Sequence, residues 1–300
     1  AQASGQASLL QTLSQQVENF YTNNYLSRLN VHWQPFVDGC QQWSVGGVLQ
    51  QRQFFADRVQ PHLQRKGKLC VLISDALRYE VGEELQRLIR QENRFDAELA
   101  PMLASLPSYT QLGMAALLPH QRLELAEDGS GDVLADSISA KGSDNRTRIL
   151  AQAVPASAVV LAKDVLAMGK EESRALVREH EVVYVYHNLI DKVGDTRDTE
   201  ERVFAAAQDT LGELLLLIKK LVNANASHVL VTADHGFIYQ NQPLQESDFV
   251  SAEPEGASIL YRDRRFVLGR GLREQSSFKT WQPEQLGLGG NLQVQMPKSI

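Results

Sequence analysis

Three short apolar runs, separated by amphipathic segments, constrain the fold of this chain most strongly. They lie at residues 68–74, 182–186 and 228–232. Runs this short and this apolar are typical of parallel strands that are buried on both faces of a sheet. The segments at about 76–91 and 199–223 have helical periodicity. Strands that alternate with helices predict an α/β fold with a mostly parallel sheet flanked by helices.

Residues 1–65 are predicted to form an N-terminal helical segment, because Leu9, Leu13 and Val17 recur at helical spacing. Residues 66–300 are predicted to form the α/β core. Within that core we also expect helices at 108–118, 144–153 and 171–179, a hairpin at 123–135, and strands at 95–100 and 265–268.

The composition is that of an ordinary globular protein. The net charge of −6 excludes a protein that binds nucleic acid through a surface that is basic throughout. Two cysteines predict no disulfide framework, and no apolar run reaches membrane-spanning length, so we expect a cytoplasmic protein without a membrane partner. Because the chain begins with Ala1 and not with methionine, we expect a piece of a longer protein.

Acidic residues follow all three apolar runs. Asp75 and Asp234 come at or just after the end of a run, and Asp191 follows a few residues later. Ligands of open α/β sheets bind beyond the carboxyl ends of the strands, and carboxylates gathered there would repel one another without a cation. Each Asp could instead cap a helix, but His235 beside Asp234 favours a metal site. Mixed oxygen and nitrogen ligands suit zinc or manganese.

A hydroxyl nucleophile is predicted in the segment Leu106-Pro-Ser-Tyr-Thr-Gln-Leu-Gly113. A nearby cation lowers the pKa of a hydroxyl and fixes the direction of its oxygen, and the start of a helix favours an anion. Ser108 and Thr110 both meet these conditions, and one of them could simply cap the helix. The chemistry alone leaves both open.

Four sequence motifs occur in the order found in the alkaline-phosphatase superfamily, and their residues resemble those of the PglZ domain of BREX-type phage-defence systems. They are Ile73-Ser-Asp-Ala-Leu-Arg78, Leu106-Pro-Ser-Tyr-Thr110, Tyr184-Val-Tyr-His-Asn-Leu-Ile-Asp191 with Gly194-Asp195, and Thr232-Ala-Asp-His-Gly-Phe237. The resemblance covers about residues 66–270. It implies an alkaline-phosphatase-like sheet with up to two divalent ions, Zn²⁺ or Mn²⁺, beside the nucleophile.

The resemblance also implies a role for individual residues. It makes Thr110 the nucleophile and leaves Ser108 as the helix cap. The first metal site would consist of Asp75, Thr110, Asp234 and His235, and the second would begin with Asp191 and Asp195.

The chain departs from the superfamily pattern at three places. Asp195 stands where the phosphodiesterase branch has a histidine. The Asn that contacts phosphoryl oxygens shortly after the nucleophile has no counterpart in residues 111–113. No histidine follows His235, although the superfamily uses one more. We therefore expect one ion to bind well and the second weakly, unless His187, otherwise a packing residue, completes the second site.

The resemblance implies hydrolysis of a phosphoester through a phospho-threonine intermediate. A phosphodiester substrate, such as a nucleic acid or nucleotide, fits a defence system. A phosphomonoesterase is an alternative, whereas Thr110 argues against a sulfatase. A different alternative is a scaffold that holds other defence proteins, including a DNA methyltransferase, with little catalysis of its own.

Overall fold

The computed structural model describes residues 7–190, 203–237 and 252–298. Contacts divide the chain into two compact units. The larger unit comprises residues 43–237 and 283–292, and the smaller unit comprises the described residues of 1–42, 238–282 and 293–300. The larger unit includes residues 43–65, which we predicted to be part of the N-terminal helical segment.

The described helices account for most of the predicted ones. In chain order they are α1 (Ala7–Asn19), α2 (Ser27–Gly39), α3 (Gln60–Gln64), α4 (Tyr79–Gln91), α5 (Thr110–Ala116), α6 (Gly142–Ala153), α7 (Ala162–Ala167), α8 (Lys170–Glu179) and α9 (Val203–Asn223). Shorter helical turns occupy Phe20–Leu26, Gln51–Gln53, Phe55–Val59 and Pro283–Leu286. Among the described residues, no helix is both long enough and apolar enough to cross a membrane.

The strands belong to two larger sheets and two smaller ones. In chain order they are β1 (Leu49–Gln50), β2 (Leu69–Ser74), β3 (Met102–Leu103), β4 (Leu123–Leu125), β5 (Val133–Ala135), β6 (Ile138–Ser139), β7 (Ser157–Leu161), β8 (Val182–His187), β9 (His228–Thr232), β10 (Gly256–Arg262), β11 (Val267–Leu272), β12 (Phe278–Trp281) and β13 (Gln293–Pro297).

The central sheet of the larger unit has the order β7-β8-β2-β9, and all its pairs are parallel. This confirms the predicted α/β class with a parallel sheet. Every residue of β2 and β8 is buried, because helices cover both faces of these strands. In register, Leu69 of β2 lies between Val182 of β8 and His228 of β9, so the three strands end at one edge.

Apolar packing on the two faces holds the larger unit together. On one face, Leu72 and Val185 belong to a core cluster with Leu214 of α9, and α4, α7 and α8 contribute to the same cluster. On the other face, the hydroxyl of Tyr184 donates a hydrogen bond to the carbonyl oxygen of Leu117, directly after α5, at 2.9 Å. The second face therefore carries the helix that begins with Thr110.

The smaller unit contains helices α1 and α2 and an antiparallel sheet in the order β10-β11-β13-β12. We expected a turn-rich last part of the chain with one clear strand at 265–268; the strand is confirmed in part, whereas the expectation of turns around it was wrong. Strand β11 includes residues 267 and 268 of the expected strand and continues to Leu272, and three more strands pair with it or with one another.

Two further expectations for the larger unit had different outcomes. The hairpin at 123–135 is confirmed, because β4 and β5 pair antiparallel. The strand at 95–100 is wrong. Instead, the side chains of Gln86 and Arg90 both donate to the carbonyl oxygen of Ala97, which occupies an acceptor that a neighbouring strand would need.

Candidate metal centre

Asp75 is held at the end of β2 by its backbone. Its amide donates to the carbonyl oxygen of His187 at the end of β8, at 2.8 Å. The next residue, Ala76, has a φ of 60°, in the left-handed region that non-glycine residues seldom adopt. This turn points the amide of Ala76 at Oδ1 of Asp234, which accepts its hydrogen bond at 3.0 Å. The strained turn thus links the ends of β2 and β9.

Gln51 fixes the backbone that carries Asp234. Its Nε2 donates to the carbonyl oxygens of Asp234 at 2.5 Å and Ala233 at 3.1 Å. Its Oε1 accepts the amide of Ser105 at 3.0 Å, in the segment that leads to α5. Because the Gln51 side chain is buried, these bonds replace the water that the backbone groups have lost.

Thr110 is the first residue of α5, and its hydroxyl lies 3.0 Å from Nε2 of His235. The helix approaches the Asp234 backbone through Gly113. A Cβ at that position would lie 2.3 Å from the carbonyl oxygen of Asp234, so only glycine fits. Gly113 therefore sets the distance between the nucleophile candidate and the strand-end residues.

The prediction that Ser108 caps this helix was wrong. The helix begins one residue later than the cap would require, and Tyr109 occupies the N-cap position without a side-chain capping bond. The Tyr109 hydroxyl instead donates to the carbonyl oxygen of Gly131 at 3.0 Å, which fastens the start of α5 to the neighbouring hairpin.

Asp75, Asp234 and His235 bring three ligand atoms within 4.8 Å of one another, and all three residues are buried. Nε2 of His235 lies 3.6 Å from Oδ1 of Asp75 and 3.4 Å from Oδ2 of Asp234. Nδ1 of the same ring lies 3.0 Å from the carbonyl oxygen of Gly236. Because a carbonyl only accepts hydrogen bonds, Nδ1 carries a proton, and Nε2 is the ring nitrogen that faces the carboxylates and Thr110 and that a metal ion would bind.

The electrostatics of this group favour a cation. Burial raises the pKa of Asp234 to about 6, although the amide of Ala76 pulls it in the other direction. Oδ2 of Asp234 is buried and accepts no hydrogen bond from the described residues. A divalent ion would neutralise the buried carboxylates and fill that open acceptor. Two carboxylates, an imidazole lone pair and a hydroxyl are a donor set that fits zinc or manganese.

The predicted residues of the second metal site, Asp191 and Asp195, lie outside the described residues. His187 is described, and both its ring nitrogens have partners. Nδ1 lies 3.0 Å from the hydroxyl of Ser74, and Nε2 lies 3.2 Å from the carboxylate of Glu213. Burial lowers the pKa of His187, so the ring is neutral near pH 7. These contacts favour its interpretation as a packing residue.

Two residues that shape the site escaped the sequence analysis. Gly113 was visible as a glycine inside a short predicted helix, where glycine is unfavourable and so marks a close approach. Gln51 gave no signal, because an isolated glutamine far from every motif is indistinguishable from a surface residue.

Comparison with known proteins identifies the family. The profile of the BREX system PglZ alkaline phosphatase-like domain matches residues 54–300. The chain belongs to the PglZ family. It is 38% identical over 301 residues to the alkaline phosphatase-like protein BrxZ of Escherichia coli O9:H4 (strain HS), covering 98% of this chain and 35% of that protein.

A second relative is the alkaline phosphatase-like protein PglZ of Bacillus cereus (strain H3081.97). It is 37% identical over 259 residues, which cover 85% of this chain and 30% of that protein. The PglZ-family chain thus spans about a third of the length of the curated relatives it matches.

Proposed function

We propose that this PglZ-family chain carries the catalytic site of a metal-dependent phosphoester hydrolase in a phage-defence system, with Thr110 as nucleophile. The observation that supports this most is the 3.0 Å contact between the Thr110 hydroxyl and Nε2 of His235, inside a buried group of two carboxylates. A hydroxyl at the rim of a ligand set for a divalent cation is the arrangement that a metal-activated nucleophile requires.

The proposed roles follow from the contacts of each side chain. Asp75, Asp234 and His235 would hold the first ion, and Thr110 lies beside them. A bound ion would lower the pKa of the Thr110 hydroxyl and offset negative charge on the phosphoryl oxygens. The Ala76 amide holds Oδ1 of Asp234, which leaves Oδ2 directed at the ion site.

A second ion would be held more weakly, by Asp191 and Asp195. We propose a phosphodiester such as a nucleic acid or nucleotide as the substrate, and a cytoplasmic protein that works with other defence proteins, including a DNA methyltransferase. The description of the family, which names the BREX system, supports such partners.

Hydrolysis of two chromogenic substrates tests the proposal. Bis-p-nitrophenyl phosphate reports phosphodiesterase activity, and p-nitrophenyl phosphate reports phosphomonoesterase activity. We expect Mn²⁺- or Zn²⁺-dependent cleavage of the diester that Thr110→Ala lowers by about 10³-fold or more, because nucleophile removal leaves only binding and electrostatic catalysis. Ser108→Ala is the matched control, since Ser108 does not contact the ligand set in any of the described interactions.

The outcomes separate the alternatives. Preference for the monoester would favour the phosphomonoesterase. Equal turnover by wild type and Thr110→Ala would show that Thr110 is not the nucleophile. Metal-dependent cleavage of neither substrate, by a protein that still assembles with its defence partners, would favour the scaffold.

A further inference from the structure

The guanidinium group of Arg146, on α6, is fixed on two sides. Its Nε donates to the carbonyl oxygen of Ala140 at 2.9 Å. Its central carbon lies 4.8 Å from the centre of the Tyr186 ring, which is the geometry of a cation–π contact. A guanidinium group held by its Nε and by one face keeps its terminal N–H groups available for a planar, bidentate ligand.

The position of Tyr186 places this arginine on the nucleophile's side of the sheet. Tyr186 pairs with Ile73, two residues before Asp75, near the carboxyl ends of the strands. Alternate residues of a strand share a face, so Tyr186 points to the same side as Tyr184. The Tyr184 hydroxyl contacts the carbonyl that follows α5, and α5 begins with Thr110.

Arg146 differs from Arg78, which also lies near the site, in having no ion-pair partner among the described residues. Arg78 packs beside Gly236 and forms an ion pair with Glu80. Within the part of the chain that the structure describes, no carboxylate forms an ion pair with Arg146. A half-buried cation without an ion-pair partner attracts an anionic ligand.

The Tyr186 hydroxyl does not supply that anion. The ring is 7% exposed, and its hydroxyl is buried without a hydrogen-bond partner among the described residues. Burial raises the pKa of Tyr186 to about 12, against the opposing effect of Arg146, so the hydroxyl stays protonated. The contribution of Tyr186 is therefore its ring, which supports the guanidinium group.

We propose that Arg146 binds the non-bridging oxygens of the substrate's phosphoryl group and that Tyr186 positions it. This inference rests on the proposed hydrolase function. Arg146 would make the contact with phosphoryl oxygens for which residues 111–113 offer no Asn. The arrangement assigns substrate binding to α6, which carries none of the sequence motifs.

Calorimetric titration with inorganic phosphate, in the presence of Mn²⁺, tests the proposal without depending on turnover. We expect Arg146→Ala to weaken phosphate binding by about 10- to 100-fold, as loss of charged hydrogen bonds does, with Arg146→Lys in between. Arg148→Ala, an exposed arginine on the same helix, is the matched control and should bind phosphate as wild type does.

The positioning role of Tyr186 is tested by two substitutions. Tyr186→Phe keeps the ring and removes a hydroxyl without a partner, so phosphate binding and KM should stay within about twofold of wild type. Tyr186→Leu removes the ring and should weaken phosphate binding by about 3- to 10-fold, the value of a cation–π contact. An effect of Tyr186→Phe as large as that of Tyr186→Leu would overturn the role of the ring.

The outcomes also separate this inference from the proposed function. Phosphate binding by Arg146→Ala and Arg146→Lys that equals wild type, with Thr110-dependent hydrolysis intact, would overturn the Arg146 role alone. Absence of phosphate binding by folded wild type would overturn it as well. Arg146-dependent phosphate binding without hydrolysis of either chromogenic substrate would support the anion site and contradict the hydrolase.

Discussion

Substitution of Gly113 by alanine tests how closely α5 controls the site. A Cβ at this position would lie 2.3 Å from the carbonyl oxygen of Asp234 and 2.7 Å from its carbonyl carbon. Ordinary van der Waals contact begins at 3.4 Å, so the oxygen is too close by about 1.1 Å. Both partners are backbone, and neither can rotate away. The helix must therefore move back from β9 or the end of β9 must shift.

The displacement has two measurable consequences. Overpacking of a fitted contact costs about 1–3 kcal/mol in the free energy of unfolding. Each kcal/mol lowers the melting temperature of a domain this large by about 2–4 °C. The same shift moves the Thr110 hydroxyl relative to His235, and misplacement of a reacting group by about 1 Å lowers turnover by about 10²-fold.

Thermal unfolding and diester hydrolysis of Gly113→Ala measure both consequences. Gly212→Ala is the control, because that helical glycine in α9 has no atom within 4 Å of its would-be Cβ. The control should stabilise the protein by about 0.5–1 kcal/mol through the better helix propensity of alanine. Gly113→Ala with the melting temperature and turnover of wild type would refute the argument from close approach.

Three further predictions concern the surroundings of the ion site. The pKa of Asp234 is about 6 in the metal-free fold, against 3.8 ordinarily, so its protonated form favours folding. This contribution to the free energy of unfolding is present below pH 3.8 and is lost as the pH rises through 6. In urea unfolding without metal, the stability of wild type should therefore fall relative to that of Asp234→Asn by up to about 3 kcal/mol over this pH range. Gln51→Leu leaves three backbone groups without partners and should destabilise the protein by about 2–4 kcal/mol, whereas Gln53→Leu, at an exposed position, should change unfolding little. His187→Gln should leave the affinity for Mn²⁺, measured by calorimetry, within about threefold of wild type, since the ring of His187 contacts Ser74 and Glu213. A larger loss of Mn²⁺ affinity would identify His187 as a metal ligand.

Strands β2 and β8 could be predicted because each is an uninterrupted apolar run, which a strand covered on both faces requires, and β9 has an apolar run although it is half-buried at an edge of the sheet. Strand β7 lies at the opposite edge and is also half-buried, but it was missed because none of the family motifs that mark the ends of β2, β8 and β9 follows it. The strands of the smaller unit were missed for a different reason. Their pattern is mixed, and their pairing depends on backbone partners far apart in the sequence, such as Val267 and Gln295.

The residues of the candidate site were predictable where they follow strands, since strand ends and family motifs coincide at Asp75 and Asp234. The hydrogen bonds that orient these side chains could not be predicted. The hydrogen bonds of Gln51 join positions 54 and 183 residues away, and no local pattern encodes such distances. The cap was misplaced at Ser108 because Ser is a better cap than Tyr in isolation, whereas a tertiary bond fixes Tyr109 here.

Anomalous scattering from crystals grown with Zn²⁺ or Mn²⁺ tests the central claim most directly. The account predicts an ion about 2.0–2.2 Å from a carboxylate oxygen of Asp75, a carboxylate oxygen of Asp234 and Nε2 of His235, with the Thr110 hydroxyl beside it. It also predicts that Asp234→Asn lowers the occupancy of this ion. An ion bound elsewhere, or no ion at saturating metal while these side chains keep their positions, would contradict the claim that they form a metal centre.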